Sequence, residues 1–403
     1  MTGAQTPATT SPTGRILPVV FLNLLVYIDI GLPMAVIPVF VHKTLQFNTV
    51  LAGLAVSLQY FATFASRASA GKRIDTRGPK PVAVSGLLVC VASGFMLFLA
   101  GALWKSAILS VVILSISRLA LGWAESWAST AAIVWNIRRV GAPNTAQVIS
   151  WNGITSYGGI ALGATLGEQL SHLPGFWGGL VSLGLLSLVL PLIGSLLAMR
   201  YPAVAPLTDN TAPMPFARVF RLVLPHGSAL AAGSVGFGAI SSCLALYFSA
   251  RQWDGAAQAL AMFGLVFVIV RFVFSRQIGR YGGAKVAIVS LIVETLGLLI
   301  LAFMPSPEAA TLGAAVTGAG FSLVFPALGV LAVNRAGPKN RGAALGAFSV
   351  FLDLAIGISG PVLGLIIHAA GYRALFIFTA AVTLIGSVLS LMLPKEDVVL
   401  KKG

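Results

Sequence analysis

Asp29, Arg67, Arg118, Glu125, Arg271, Glu294 and Asp353 all stand inside or at the ends of long apolar stretches of this sequence. Ionisable side chains in such surroundings are expensive to keep and are candidates for chemistry. Asp29 lies near the middle of the first stretch, followed by Gly31, Pro33 and Pro38, so its helix should bend. A carboxyl at that depth is costly when charged, which suits reversible protonation; an ion pair with Arg118 is the structural alternative. Arg118 and Glu125 are seven residues apart on one helix, hence on one face and about 10 Å from each other. A cation there can drive a proton off a neighbouring acid as the two approach. Glu125 reads equally well as an ordinary charge at the end of its span. Asp353 is eleven residues into its stretch, about 16 Å from the start, and is open both to proton coupling and to pairing between helices.

Uncharged groups could contact a cargo. Asn23, Tyr27, Gln59, Asn152 and Tyr157 are polar enough to do so, although each could simply bond one helix to another. Trp123, with Trp127 and Trp135, could line a cavity or anchor the chain at a membrane surface. No catalytic constellation accompanies them. There is no G-x-x-x-x-G-K-[ST] loop and no H-E-x-x-H, and the four histidines lie apart, so no nucleotide hydrolysis, metal or cofactor is expected. Cys90 and Cys243 are far apart in apolar stretches and read as small buried residues. Any work must draw on a gradient.

The elements that position these residues follow from composition. Of 403 residues, 57% are hydrophobic and 9% are charged, and the mean hydropathy is +0.93. A soluble chain would carry about 25% charged residues, so this is an all-α integral membrane protein. Twelve apolar spans can be placed, the first at 16–41 and the last at 373–393. They fall into an N-terminal six-helix bundle at 15–200 and a C-terminal one at 222–394. A Pro-rich polar linker at 201–221 joins them, with tails at 1–14 (expected to be disordered) and 395–403. The net charge of +15 does not point to nucleic acid, because the cations sit in short loops between spans. Lys72, Arg73, Arg77, Lys80, Arg138, Arg139, Arg276 and Arg280 fall on one side, and only Lys43, Lys105, Arg251 and Arg373 on the other. This bias places both termini in the cytoplasm.

One basic stretch, Gly71-Lys-Arg-Ile-Asp75-Thr-Arg77-Gly78-Pro79-Lys80, is predicted to be a turn-forming loop. A degenerate echo lies 204 residues later, with Arg67 matched by Arg271 and Gly78 by Gly282. A second echo, at an offset of 197, relates Gly163 and Gly167 to Gly360 and Gly364. Two related halves in parallel are implied. The spacing G-x-x-x-D-x-x-G resembles the loop between helices two and three of the major facilitator superfamily, and Arg118-x-x-x-Gly122 resembles its fourth-helix motif. Helix five departs, having Gly163-Ala164 and Gly167-Glu168 where the antiporter pattern has Gly-Pro and Gly-Gly.

The resemblance implies two pseudo-symmetric six-helix bundles around a cavity lined by helices one, four, seven and ten. It implies a proton-coupled exporter of a small organic molecule, monomeric, in a bacterial inner membrane, with an importer or uniporter of the same fold as the rival. A membrane-embedded enzyme or receptor is the alternative from another class. Asp29, Arg118, Glu125 and Asp353 are then the coupling candidates, and Asn23, Tyr27, Trp123 and Asn152 the cavity candidates. In the resembled family Gly71, Asp75, Arg77 and Gly78 form a latch. Its aspartate docks on the N-terminus of helix eleven, here near Gly342, when the cytoplasmic side is closed.

Overall fold

Proline and glycine punctuate a chain that is otherwise helical wherever the computed structural model describes it, at residues 12–141, 144–205, 216–336 and 341–393. Helix α1, Pro12–Gly31, ends where Pro33 withholds a backbone donor. The chain makes a tight turn there, with Met34 N bonded to the Gly31 carbonyl at 3.0 Å. It resumes as the short Val36–Val39 helix and a π-type turn at Phe40–Thr44. The expected bend after Asp29 is therefore present.

Helices α2 (Thr49–Arg77), α3 (Pro79–Ala102), α4 (Ala107–Val140), α5 (Thr145–Ser171) and α6 (Leu180–Arg200) complete the first half. The second half comprises α7 (Phe216–Ala250), α8 (Ala256–Phe274), α9 (Gly283–Phe303), α10 (Pro307–Ala336) and α11 (Arg341–Leu391). Gly371, at φ 77°, breaks α11 into two arms. Among the described residues, ten helices are long and apolar enough to cross a membrane. The twelve-span reading also needs α5, whose polar residues lower its hydropathy, and the division at Gly371. Helix α7 begins at Phe216, inside the stretch expected to be linker, and α1 begins at Pro12, inside the expected tail. Residues 206–215 and 394–403 lie outside the described residues.

The basic stretch at 71–80 is not the loop its composition suggests. Helix α2 continues through it to Arg77, and the chain reverses at Gly78 alone, at φ 84° and ψ 163°. Lys72, Arg73 and Ile74 are ordinary helix residues, and one glycine at positive φ followed by proline suffices to end one helix and start the next. Gly71 is plain helix interior. The Asp75 side chain lies outside the described residues, although α11 begins at Arg341, beside the expected docking point. Gly282, 204 residues after Gly78, has φ 87° and ψ 149° and turns the chain in the same way, as Gly141 also does.

Within the first half, α1 packs on α4 and α5, and α3 on α4 and α6; α7, α9 and α10 pack likewise with α11 in the second. The halves meet where α2 lies on α11 and α5 on α8. Small residues let backbones touch at these seams. A Cβ on Gly53 would collide with the Gly360 carbonyl, and one on Gly364 would press on Thr49 and Val50. The matched glycines in α5 serve a different seam, since Gly163 abuts the Ile28 carbonyl of α1 and Gly167 the Leu32 carbonyl just after it.

Gly53→Val is expected to cost about 1–3 kcal/mol by overpacking, read as a lower midpoint of thermal unfolding in detergent. Gly71→Ala should leave the midpoint equal or slightly higher, because a Cβ there meets nothing within 4 Å and the residue is helical. Equal losses in both variants would contradict this packing.

Candidate functional site

Between the halves lies a cavity of about 160 Å³. Its wall includes Tyr27 of α1, Tyr60 and Arg67 of α2, Glu125 of α4, and Asn152 and Tyr157 of α5. The other half contributes Phe237 of α7, Phe267 and Arg271 of α8, Phe321 of α10 and Asp353 of α11. Four more helices than the expected one, four, seven and ten thus reach it. The cavity extends past Ser129, Ile133 and Ile149 toward the basic end of α4 and the start of α5. On the opposite face the halves are drawn together by the glycine seam and by Lys43 Nζ, which donates to the Ser249 carbonyl at 3.1 Å. A larger groove of about 640 Å³ beside Lys80 and residues 203–205 is an open surface feature remote from these groups.

Glu125 is the most heavily engaged group in the wall. Tyr27 Oη donates to its Oε1 at 3.1 Å, while Gln59 Nε2 and Thr63 Oγ1 donate to Oε2 at 2.8 and 3.2 Å. Arg118 Nη2 donates to Gln59 Oε1, so one amide links the arginine to the carboxylate. Gly122 makes this arrangement possible, since any Cβ there would strike the Gln59 carbonyl. The glycine of the fourth-helix motif thus brings α2 close enough to slot Gln59 between Arg118 and Glu125. Glu125 is buried, which overturns its reading as a charge at the end of a span. The sequence marked Gln59 only as a possible cargo contact, and Thr63 carried no signal of its own.

Arg67 donates from both Nε and Nη2 to the two carboxylate oxygens of Asp353, joining α2 to α11 across the halves. It is the one ion pair among the described residues. Asp353 therefore takes the interface-pairing option. Arg118 and Asp29 do not pair. Asp29 is buried off the cavity, with neither oxygen hydrogen-bonded. Glu294 of α9 is fully buried, and its carboxyl fills the space left by Gly236 of α7.

Tyr27 and Asn152 line the cavity as expected, but two candidates do not. Asn23 is buried and spends its amide on the Thr155 and Ser156 hydroxyls at 3.0 and 3.1 Å, tying α1 to α5. Trp123 is 42% exposed on the outside of the bundle, against Trp127. The inward face of α4 is the one that carries Ser117, Arg118, Gly122 and Glu125, all buried, and Trp123 stands off that face. Gly71, Arg77 and Gly78 lie at the basic face, away from the cavity.

Residues 19–276 and 229–403 match the family model described as Major Facilitator Superfamily. An uncharacterised MFS-type transporter of Burkholderia pseudomallei (strain 1106a) is 46% identical over 383 residues, covering 94% of this chain and 92% of the relative. One from Pseudomonas aeruginosa (strain UCBPP-PA14) is 46% identical over 396 residues, covering 98% and 96%. Among solved structures, the human organic anion transporter MFSD10 (TETRAN) superposes with a TM-score of 0.72 at 18% identity, covering 94% of this chain and 100% of that one. The E. coli fucose:proton symporter FucP gives 0.65 at 18% identity, covering 96% and 100%.

Removing one partner of the buried ion pair leaves an uncompensated charge, which costs about 3–5 kcal/mol at most, and less here because Arg67 keeps some exposure. Arg67→Met alone should therefore lower the unfolding midpoint. Arg67→Met combined with Asp353→Leu should regain most of it. A double variant as unstable as the single one would show that the pair itself is not what matters.

Proposed function

The chain belongs to the Major Facilitator Superfamily, and we propose that within it the protein is a proton-coupled exporter of a small organic molecule. As a member it is a multi-pass membrane transporter rather than an enzyme. The reading takes it as a monomer in the bacterial inner membrane with both termini cytoplasmic, in keeping with its bacterial relatives and its basic turns.

One observation carries the proton-coupled reading. Glu125 is a buried carboxyl in the wall of a cavity between two halves, wired through Gln59 to an arginine that has no acid of its own. A carboxyl can exchange a proton with the cavity, and its hydrogen bonds to Tyr27 and to α2 tie that exchange to helix positions. Rocking of the halves would change the Gln59 bridge and hence the field that Arg118 exerts on Glu125. Asp29 is a second coupling carboxyl in this reading. The latch in the α2–α3 turn, with Asp75 docking on the start of α11, stays part of the proposal. Symport inward is the rival direction, the one that the fucose:proton symporter's name describes for that protein.

Transport in proteoliposomes carrying an imposed proton gradient, across a panel of sugars, metabolites and drugs, tests the reading. Glu125→Gln should abolish gradient-driven accumulation while sparing exchange of cargo at equal concentrations. Arg118→Ala should shift the pH profile of transport, and Arg118→Lys, which keeps charge without the planar fork, should restore it in part. Accumulation by Glu125→Gln at the wild-type ratio would sink proton coupling through this site. Wild-type accumulation by Asp29→Asn would remove that residue from it.

A further inference from the structure

The two arginines related by the repeat, Arg67 and Arg271, are treated differently by the opposite half. Arg67 on α2 meets Asp353 on α11. Arg271 on α8 reaches across to α5 in the same manner, its guanidinium lying against Gly153, where a Cβ would collide with it. The offset that relates Gly163 to Gly360 and Gly167 to Gly364 also relates Asp353 to residue 156, which is serine. The carboxylate that neutralises one arginine is missing from the place that would neutralise the other.

Arg271 is consequently a buried cation without a counter-ion among the described residues. It is 5% exposed, Nη2 donates to the Ser322 carbonyl, and Nε has no partner. Its charge sits 4.9 Å above the Phe267 ring. The other charged groups of the cavity wall are already engaged, Arg67 with Asp353 and Glu125 with Tyr27, Gln59 and Thr63. An uncompensated charge at this depth is costly unless something brings the opposite sign. Beside it the wall is aromatic: Tyr157 stacks on Phe267 with ring centroids 3.6 Å apart, and Phe237 and Phe321 meet Tyr157 edge-on at 5.7 and 6.1 Å.

We propose that Arg271 is the cargo-binding cation of the central cavity, and that the cargo is a small organic monoanion whose carboxylate pairs with Arg271 while its apolar body lies on the Tyr157–Phe267–Phe321 wall. A guanidinium matches a planar carboxylate with two parallel hydrogen bonds, and aromatic faces accept an apolar body. The small cavity limits the size of that body. Gly153 has its own part, giving the guanidinium room to turn toward the cavity. This substrate class rests on the transport reading above, but binding can be measured without any gradient.

The probes are benzoate, hexanoate and the neutral isostere benzamide, titrated into the purified full-length protein and followed by calorimetry and thermal unfolding. Saturable binding of at least one of the two carboxylates, and none of benzamide, is expected. Arg271→Gln should weaken carboxylate binding on the order of tenfold or more, with Arg271→Lys in between. Ser156→Asp guards against mere misfolding, because it supplies the absent counter-ion. It should raise the unfolding midpoint of the unliganded protein and abolish stabilisation by the carboxylate. No saturable binding of either carboxylate, equal binding of benzamide, or undiminished binding by Arg271→Gln would overturn the proposal. Carboxylate binding that depends on Arg271 but yields no gradient-driven transport would sink the coupling reading and leave this one standing.

Discussion

A charge in a bilayer must find its partner within the protein, and here the one complete solution spans the seam between the halves. Arg67 and Asp353 belong to different bundles, so keeping both charges neutralised keeps α2 and α11 together at the cavity wall. Where Gly53 faces Gly360 the same two helices touch backbone to backbone. The ion pair and the glycine seam act differently under motion. Dispersion between small residues falls away with a slight separation, whereas a bidentate pair with long side chains can tilt and persist. The two contacts on one helix pair thus make a tight end and a compliant end.

Against that frame the remaining buried charges are unequal. Glu125 is satisfied three times over and reaches Arg118 through Gln59, so these two charges of the first half stand in one connected network. Asp29 and Glu294 have no hydrogen-bonded oxygens, and Arg271 has no acid. A fold assembled from two copies of one unit has here kept the arginine in both halves, Arg67 and Arg271, but among the described residues supplied a carboxylate partner to only one of them. The asymmetry places the hydrogen-bonded Glu125 network on one wall of the cavity and an unmatched cation on the other.

Much of the architecture was legible because its signals are local. Span length, cation placement, Pro33 and the recurrence of Gly78 as Gly282 need only a few neighbouring residues to be read. The misreadings share a different cause. Residues 71–77 looked like a loop because charge and glycine were dense there, yet the helix of a long span continues past the membrane until a residue stops it. Trp123 and Trp127 are four apart on one helix and look alike in sequence, and packing against the neighbouring helices decides that one is outside and the other buried. Asn23 and Gln59 look alike in sequence, but one ties helices and the other bridges charges. That difference depends on Gly122 in another helix.

Distances between spin labels at Arg139, at the basic end of α4, and Arg335, at the basic end of α10, would examine the central claim that protonation in the Glu125 network is tied to rocking of the halves. Two distance populations are expected in the wild-type protein, with a ratio that moves with pH, and a single dominant population in Glu125→Gln at every pH. A wild-type distribution that does not change with pH, or one that changes identically in Glu125→Gln, would contradict it.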